Sequence, residues 1–379
     1  MLYKKLILHI SNDLLGGIGS VITNITQINS NLFTHKHIIF EQERSTYFKI
    51  VQIIYHFMHL QRFLKLNEKT ASLFHFHGAW SPHILLLCKR YKIPTIVSPH
   101  GALNDIALTK SPLKKFLAKY IYMKKAYQSS KCIHALSLKE VQDIRNYGLT
   151  KIPIALIPNS IDMTKSITID QHTQKKLSHL ANNRKVILSL SRLHVSKGLE
   201  LLIDVFSLLL SKNNDIVLFI SGGGDINYHR LLDKKIEQMK LRKHIFLLGE
   251  LLNDEKNAAY GIADMFVLPS KNEAFPISIL ESFRQKTPVI TTTATPFNDI
   301  THIGCGWYVK PNFDELYQAL SDATNLSKEE LFARGELGYK WVQNNYSNKI
   351  VNRQMEQLYV WLINGGKEPS FIINPSRNT

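Results

Sequence analysis

The chain has 379 residues, 44% hydrophobic and 20% charged, with 47 basic against 30 acidic residues and a net charge of +17. That length exceeds one ordinary core and fits two domains, and the composition excludes wholesale disorder. Three widely spaced cysteines, Cys88, Cys132 and Cys305, with no CxxC pair, exclude a disulfide framework or zinc ribbon and point to a reducing compartment.

The start, MLYKKLILHISND, has a basic head but an apolar run of only 6–10, too short for the centre of a signal peptide, so no secretion signal is expected. No run of about 18 apolar residues occurs, so no transmembrane helix is expected. Short apolar, β-branched runs then recur along the chain. In the first half they are LILHI, HIIF, LFHFHG, TIVSPHG, CIHALS and IALIPN. In the second half they are VILSLSRL, IVLFISGGG, IFLLGEL, MFVLPS, PVITTT and GWYV. Helical periodicity between them, as in Leu199–Leu210, predicts parallel sheets with helices on both faces. Two such series predict an α/β protein of two doubly wound, Rossmann-like domains. The polar stretch 163–184 reads as the linker, and the Pro- and Asn-rich tail after Gly365 as frayed.

Ligands of open parallel sheets bind beyond the carboxyl ends of the strands, so the residues that follow each run hold the chemistry. GGIGS, with Gly16 and Gly17, lets backbone approach a phosphate or simply makes a tight turn. FHFHG raises a metal, but no carboxylate or thiol accompanies it, and a packing role for His75 is preferred. In SPHGAL, His100 precedes a glycine and is expected to face the interdomain cleft. In SRLHVSKG, Arg192 and Lys197 precede a helix, where two cations would clamp a pyrophosphate, unless both are simply solvated. SGGGD offers the same two readings as GGIGS. In SKNEAFPISILES, Pro276 suits the first helical position, and the amides of Ile277 and Ser278 suit a diphosphate. Glu273 in the loop suits sugar hydroxyls and Glu281 in the helix a ribose diol. The competing reading leaves Glu273 solvated and Glu281 on an exposed face.

The charge is uneven. From 106 to 139 there is no acid but eight lysines. Within 110–131, Leu113, Phe116, Leu117, Tyr120 and Ile121 form one stripe beside lysines, a pattern that fits either an anionic membrane surface or an ordinary surface helix.

Together GGIGS, SPHGAL, SRLHVSKG, SGGGD, FLLGELLNDEK and FVLPSKNEAFPISILES resemble the retaining, GT-B-fold glycosyltransferases of family 4, over roughly residues 5 to 345. LFHFHGAWSPH, SPHGALNDIALTKSPLKK and ATPFNDITHIGCGWYV are similar to a bacterial branch that builds surface polysaccharides. The resemblance implies an acceptor-side domain over 1–165, with a last helix of about 349–365 packed back on it, and a nucleotide-sugar domain over 182–348. It implies that Arg192 and Lys197 bind the donor diphosphate and that Glu281 holds the ribose. Backbone near Glu250 and Leu251 would meet the base. Glu273 and the amides of Ala274 and Phe275 would hold the sugar, near Pro276 and Ile277. Gly16 and Gly17 would approach the phosphates, and His100 the reacting carbon. It further implies a UDP- or GDP-linked donor, a saccharide or lipid-linked acceptor, retention, no metal and no cofactor beyond the substrate. The expected location is cytoplasmic, with peripheral membrane contact through 110–131. A nucleotide-sugar epimerase of similar fold is the alternative. A nucleic-acid-binding protein is suggested only by charge, since no recognition motif occurs.

Overall fold

The computed structural model describes residues 4–11, 22, 23, 25, 32–39, 49–80, 84, 91–104 and 123–375, with 49–57 as backbone. The chain divides into two compact units, Met1–Ser160 with Asn348–Thr379, and Ile161–Ser347.

In the first unit the six apolar runs form parallel strands β1 (Lys5–Ser11), β2 (Phe33–Ile39), β3 (Ala71–His77), β4 (Thr95–Ser98), β5 (Cys132–Ala135) and β6 (Ile154–Leu156). Their spatial order is β2-β1-β3-β4-β5-β6, with a short antiparallel strand, Ile372–Ile373, beside β6. Side chains alternate between the two faces of a strand. Leu8, Ile10, Phe74, Phe76 and Val97 therefore share one apolar core, with Leu60 and Leu64 of the helix Lys49–Asn67. His9, His75 and His77 fall on the opposite face, and all three are buried. The helix Asn348–Asn364 belongs to this unit and buries Val351, Met355, Leu358 and Tyr359. The tail is not frayed as far as it is described. Ile372 is buried and pairs with Ala155, because the apolar pair Ile372–Ile373 completes the sheet edge.

In the second unit the strands are β7 (Lys185–Leu190), β8 (Ile216–Ser221), β9 (Ile245–Leu247), β10 (Met265–Leu268), β11 (Val289–Thr292) and β12 (Gly306–Val309). All are parallel, in the order β9-β8-β7-β10-β11-β12. The chain runs outward from β7 on one side, returns to β10, and runs outward on the other. That reversal leaves a crevice at the carboxyl ends of β7 and β10. The helix Leu199–Leu210 buries Leu199, Leu202, Phe206 and Leu209 against Leu218 and Ile220, each fully buried side chain contributing about 1.5–3 kcal/mol.

The expected linker 163–184 is in part a helix, Gln171–Ala181, within the second unit. Asp170 caps it by accepting from Thr173 N at 2.7 Å. Its buried residues are Thr173, Leu177 and Ala181, a stripe too weakly apolar to stand out in the sequence. Among the described residues no helix is long and apolar enough to cross a membrane. Gly16, Gly17, Cys88 and most of 110–131 lie outside the described residues.

Candidate functional site

The loops that leave β7 and β10 meet at the reversal point. Gly198, at φ 69°, packs so closely on the end of β10 that a Cβ there would lie 2.2 Å from Pro269 O. Lys271 N donates to Ser196 O at 2.8 Å and ties the loops together. This brings Lys197 Nζ onto Glu273 Oε1, which also accepts from Ser270 Oγ at 2.7 Å. The pair is largely enclosed, with side-chain exposures of 14% and 11%. An enclosed charge that loses its partner is strongly destabilising, so the two side chains hold each other in place.

Beside it, Pro276 stands one residue before the helix Ile277–Arg284, at the N-cap with φ −75°, where the sequence reading placed it inside the first turn. The first helical amides are therefore those of Ile277 and Ser278. Glu281 pairs with Lys256 Nζ, and Tyr260 Oη shares its one proton between Glu281 Oε2 at 3.2 Å and Ser278 O at 3.1 Å. Burial, with the charge of Glu281 next to it, holds the Tyr260 phenol well above its ordinary pKa, so it remains a donor. Lys256 and Tyr260 come from the helix Asp254–Ile262, one turn apart. Sequence reading missed both, although their i, i+4 spacing was a usable signal. Phe275 is buried against Phe297, ring centres 4.8 Å apart, so only its backbone is available to a ligand.

SGGGD is a close-packed turn. A Cβ at Gly222 would lie 1.7 Å from Ser191 O, and one at Gly223 would lie 2.7 Å from Glu250 Oε2. Leu193 N donates to Gly223 O at 2.8 Å. The glycines thus bring exposed Arg192 and exposed Glu250 onto neighbouring loops, with half-buried Leu251 following.

In the first unit His100 follows β4 in a tight turn, in the left-handed region at φ 53°. Glu140 fixes that turn. The sequence Ser137-Leu138-Lys139-Glu140 has the form of a capping box, and Ser137 Oγ does accept from Glu140 N at 3.2 Å. The carboxylate is diverted, however, to Gly101 N at 2.5 Å and Leu136 N at 2.8 Å. Burial pushes its pKa up to about 7, against the pull of those two amides. Sequence reading missed Glu140, whose signal reads as ordinary capping.

His100 Nε2 lies 3.0 Å from His77 Nδ1. His77 Nε2 lies 3.1 Å from His9 Nδ1, and His9 Nε2 lies 3.0 Å from His35 Nδ1. A second chain runs beside this one and its directions are fixed by chemistry. Ile157 O, 2.8 Å from His134 Nε2, only accepts, so His134 Nδ1 must accept from Ser98 Oγ at 2.8 Å. Ser98 Oγ then accepts from His75 Nε2 at 2.7 Å, and His75 Nδ1 accepts from Tyr359 Oη at 2.9 Å. His9, His75 and His77 have ring nitrogens within 4.8 Å of one another, a spacing a metal could use. Yet all six of those nitrogens are engaged in the bonds just given, and the His75 and His77 rings stack at 4.1 Å and 27°, which sets their in-plane lone pairs side by side. The layer is a hydrogen-bonded one. Sequence reading expected His75 to pack, and it does, with both nitrogens satisfied.

The chain is 27% identical over 297 residues to the UDP-Gal:alpha-D-GlcNAc-diphosphoundecaprenol alpha-1,3-galactosyltransferase of Escherichia coli, covering 76% of this chain and 72% of that one. It is 22% identical over 299 residues to the O-antigen biosynthesis glycosyltransferase WclY of Escherichia coli, covering 75% and 81%. Other curated relatives match over less of their length, the mannosylfructose-phosphate synthase of Agrobacterium fabrum over 34% and an alpha-1,3/1,6-mannosyltransferase of Schizosaccharomyces pombe over 40%. Among solved structures, the sucrose-phosphate synthase of Thermosynechococcus elongatus superposes with a TM-score of 0.78 at 16% identity, over 96% of this chain and 100% of that one. Anabaena HepE in complex with UDP-glucose superposes at 0.73 with 15% identity, over 93% and 98%. These likenesses make the fold GT-B. The family model described as glycosyl transferases group 1 matches residues 170–340, and that described as glycosyltransferase family 4 matches 29–165. The two models span most of the sequence, and the chain belongs to the group 1, family 4 glycosyltransferases.

Proposed function

We propose that this chain is a retaining glycosyltransferase that moves a sugar from a nucleoside-diphosphate sugar to a saccharide or lipid-linked saccharide in bacterial surface-polysaccharide synthesis. The observation that carries the reading is the Lys197–Glu273 pair at the strand-order reversal. A cation and an anion held together there match a ligand whose diphosphate adjoins a polyol. Lys197, with Arg192, takes the diphosphate. Glu273 and the amides of Ala274 and Phe275 take the sugar hydroxyls. Glu281, aimed by Lys256 and Tyr260, takes the ribose diol. Glu250 and Leu251 offer backbone to the base, and His100, Gly16 and Gly17 keep the roles that the family resemblance implies.

In this reading the anomeric carbon–phosphate oxygen bond breaks while the acceptor oxygen bonds from the same face. The acceptor proton passes to the departing phosphate oxygen, so no side-chain base is used. Lys197 and Arg192 neutralise the charge that develops on the leaving group, which is the task a divalent ion would otherwise perform. The names of two relatives and the UDP-glucose bound by HepE support a nucleotide-sugar donor and a surface-saccharide product.

Thermal unfolding with UDP- and GDP-hexoses, and with UDP and GDP alone, tests this. A donor at 100 times its Kd should add about 2.7 kcal/mol of stability. The shift should follow one nucleotide class and weaken at least about tenfold in affinity in Glu281→Ala, since a hydrogen bond to a charged group contributes about 1.5–3 kcal/mol. No shift with any nucleotide would sink the reading, and conversion of the donor without acceptor would favour an epimerase.

A further inference from the structure

We propose that His77, backed by His9 and His35, is a positioning residue for His100, and that the head-to-tail chain of four imidazoles fixes His100 as the tautomer that accepts at Nε2 and donates from Nδ1 to a substrate oxygen. The inference rests on the reading above in which His100 meets the substrate.

Proton counting fixes the direction of the chain. The rings lie in line, His35–His9–His77–His100, with the three contacts at 3.0, 3.1 and 3.0 Å. Burial lowers the pKa of all four, to about 4 at His35 and about 3 at His100, so each ring is neutral near pH 7. A neutral imidazole has one N–H and one lone pair. Three bonds among four such rings form only if every ring donates in the same direction. Donation toward His35 would leave a proton on His35 Nε2, which is buried and has no hydrogen-bond partner. Donation toward His100 leaves only a bare lone pair there, and a buried N–H without a partner is the rarer defect. The chain therefore runs His35 to His9 to His77 to His100. His100 Nε2 accepts, and its proton sits on Nδ1, which has no partner among the described residues.

One further contact holds the turn that carries this ring. The His77 and His100 rings themselves are nearly parallel, at 13° with centres 5.3 Å apart, as an edge-to-edge hydrogen bond requires. Glu140 grips Gly101 N, the next amide along, and so fixes the left-handed turn on which His100 stands. The second chain, anchored at Ile157 O, keeps His75 from donating to this one, because its only N–H is given to Ser98. The device is a rigid one. It supplies a sugar or phosphate oxygen with an uncharged donor that needs no reorientation when the substrate arrives.

The first experiment needs no substrate. Histidine labelled with 15N at both ring nitrogens, read by long-range proton–nitrogen correlation at pH 7.5 and assigned through His100→Ala, gives the tautomer directly. The expected result is His100 protonated at Nδ1 and bare at Nε2. A proton on Nε2 overturns the proposal. The second experiment compares His77→Leu with His77→Asn, following nucleotide release from a panel of UDP- and GDP-hexoses. An asparagine amide can occupy the position of Nδ1 and donate to His100 Nε2, whereas leucine cannot. His77→Leu should mix the His100 tautomers and lower kcat about ten- to a hundredfold at nearly unchanged KM. His77→Asn should stay within about threefold of the parent. Equal activity and an unmixed tautomer in His77→Leu overturn the proposal. Full kcat in His100→Ala alongside the expected tautomer overturns instead the substrate role of His100.

Discussion

In the proposed reading Lys197 and Glu273 serve both stability and ligand binding. Each is nearly enclosed, so removing one leaves the other as an uncompensated charge, at about 3–5 kcal/mol. Lys197→Ala should therefore lower Tm as well as turnover. The double variant Lys197→Met/Glu273→Leu should recover most of the lost Tm, since an apolar replacement of a buried pair is often neutral, while transfer stays at least about a hundredfold down. Differential scanning calorimetry beside a donor assay separates the two effects. Turnover that returns with Tm would make the pair purely structural. Glu281 differs in that its side chain is 26% exposed and has two partners, so its loss should register in ligand affinity more than in Tm. At this scale the sequence was informative for charged residues placed just after strands. It could not reveal that Lys256 and Tyr260 aim Glu281, because that requires two helices to be packed.

At the scale of elements, the loops after β7 and β10 act as one unit because Gly198 permits it. The residue sits at φ 69°, and any side chain would meet Pro269 O at 2.2 Å. Gly198→Ala should cost more than about 1–2 kcal/mol from the left-handed backbone alone, with the clash in addition. It should also cut turnover at least about tenfold by moving Lys197 from Glu273. Urea unfolding and donor turnover check both, and a variant of parental stability would mean that the loops are held apart from Gly198. The helix Gln171–Ala181 shows the limit of periodicity. Only Leu177 among its three buried residues is strongly apolar, so packing on the helix Asp254–Ile262 decides it. The pair Ile372–Ile373 is a comparable case, since two residues become a strand only where β6 offers an open edge.

For the molecule as a whole, the histidine layer predicts acid lability. Among the described residues, burial lowers the pKa of His9, His35, His37, His75, His77, His100 and His134. In the unfolded chain these groups bind protons below about 6.5, while in the fold they stay neutral to lower pH. The unfolded state then holds more protons, so stability falls as pH falls through that window. Each such group adds a slope of about 1.4 kcal/mol per pH unit once its unfolded form is fully charged. Glu140 acts in the opposite sense, its raised pKa of about 7 lowering stability as pH rises, but it is one group against seven. Tm should be nearly flat from pH 8 to 7 and drop steeply below about 6. A Tm at pH 5 equal to that at pH 7.5 would show that the layer protonates without unfolding. The net charge of +17 bears on the proposed peripheral association. Vesicles rich in anionic lipid should retain the protein at low salt and release it at high salt, and equal recovery with neutral vesicles would remove the idea.

The twelve parallel strands, the two-unit α/β plan, the charged residues that follow the strands and the family resemblance were all legible in the linear chain. These are local properties: apolar runs of strand length, glycines and prolines at turns, and charges placed where a parallel sheet exposes its carboxyl ends. Which side chains touch is a matter of packing between distant segments. His9, His35, His77 and His100 lie on four different segments, and nothing in their spacing shows that parallel register sets them in one line. Glu140 reads as a helix cap and becomes the clasp of the His100 turn only when β4 and β5 lie side by side. Hydrogen bonding across strands depends on register and face, and both are fixed by burial of the whole sheet rather than by any one stretch of chain.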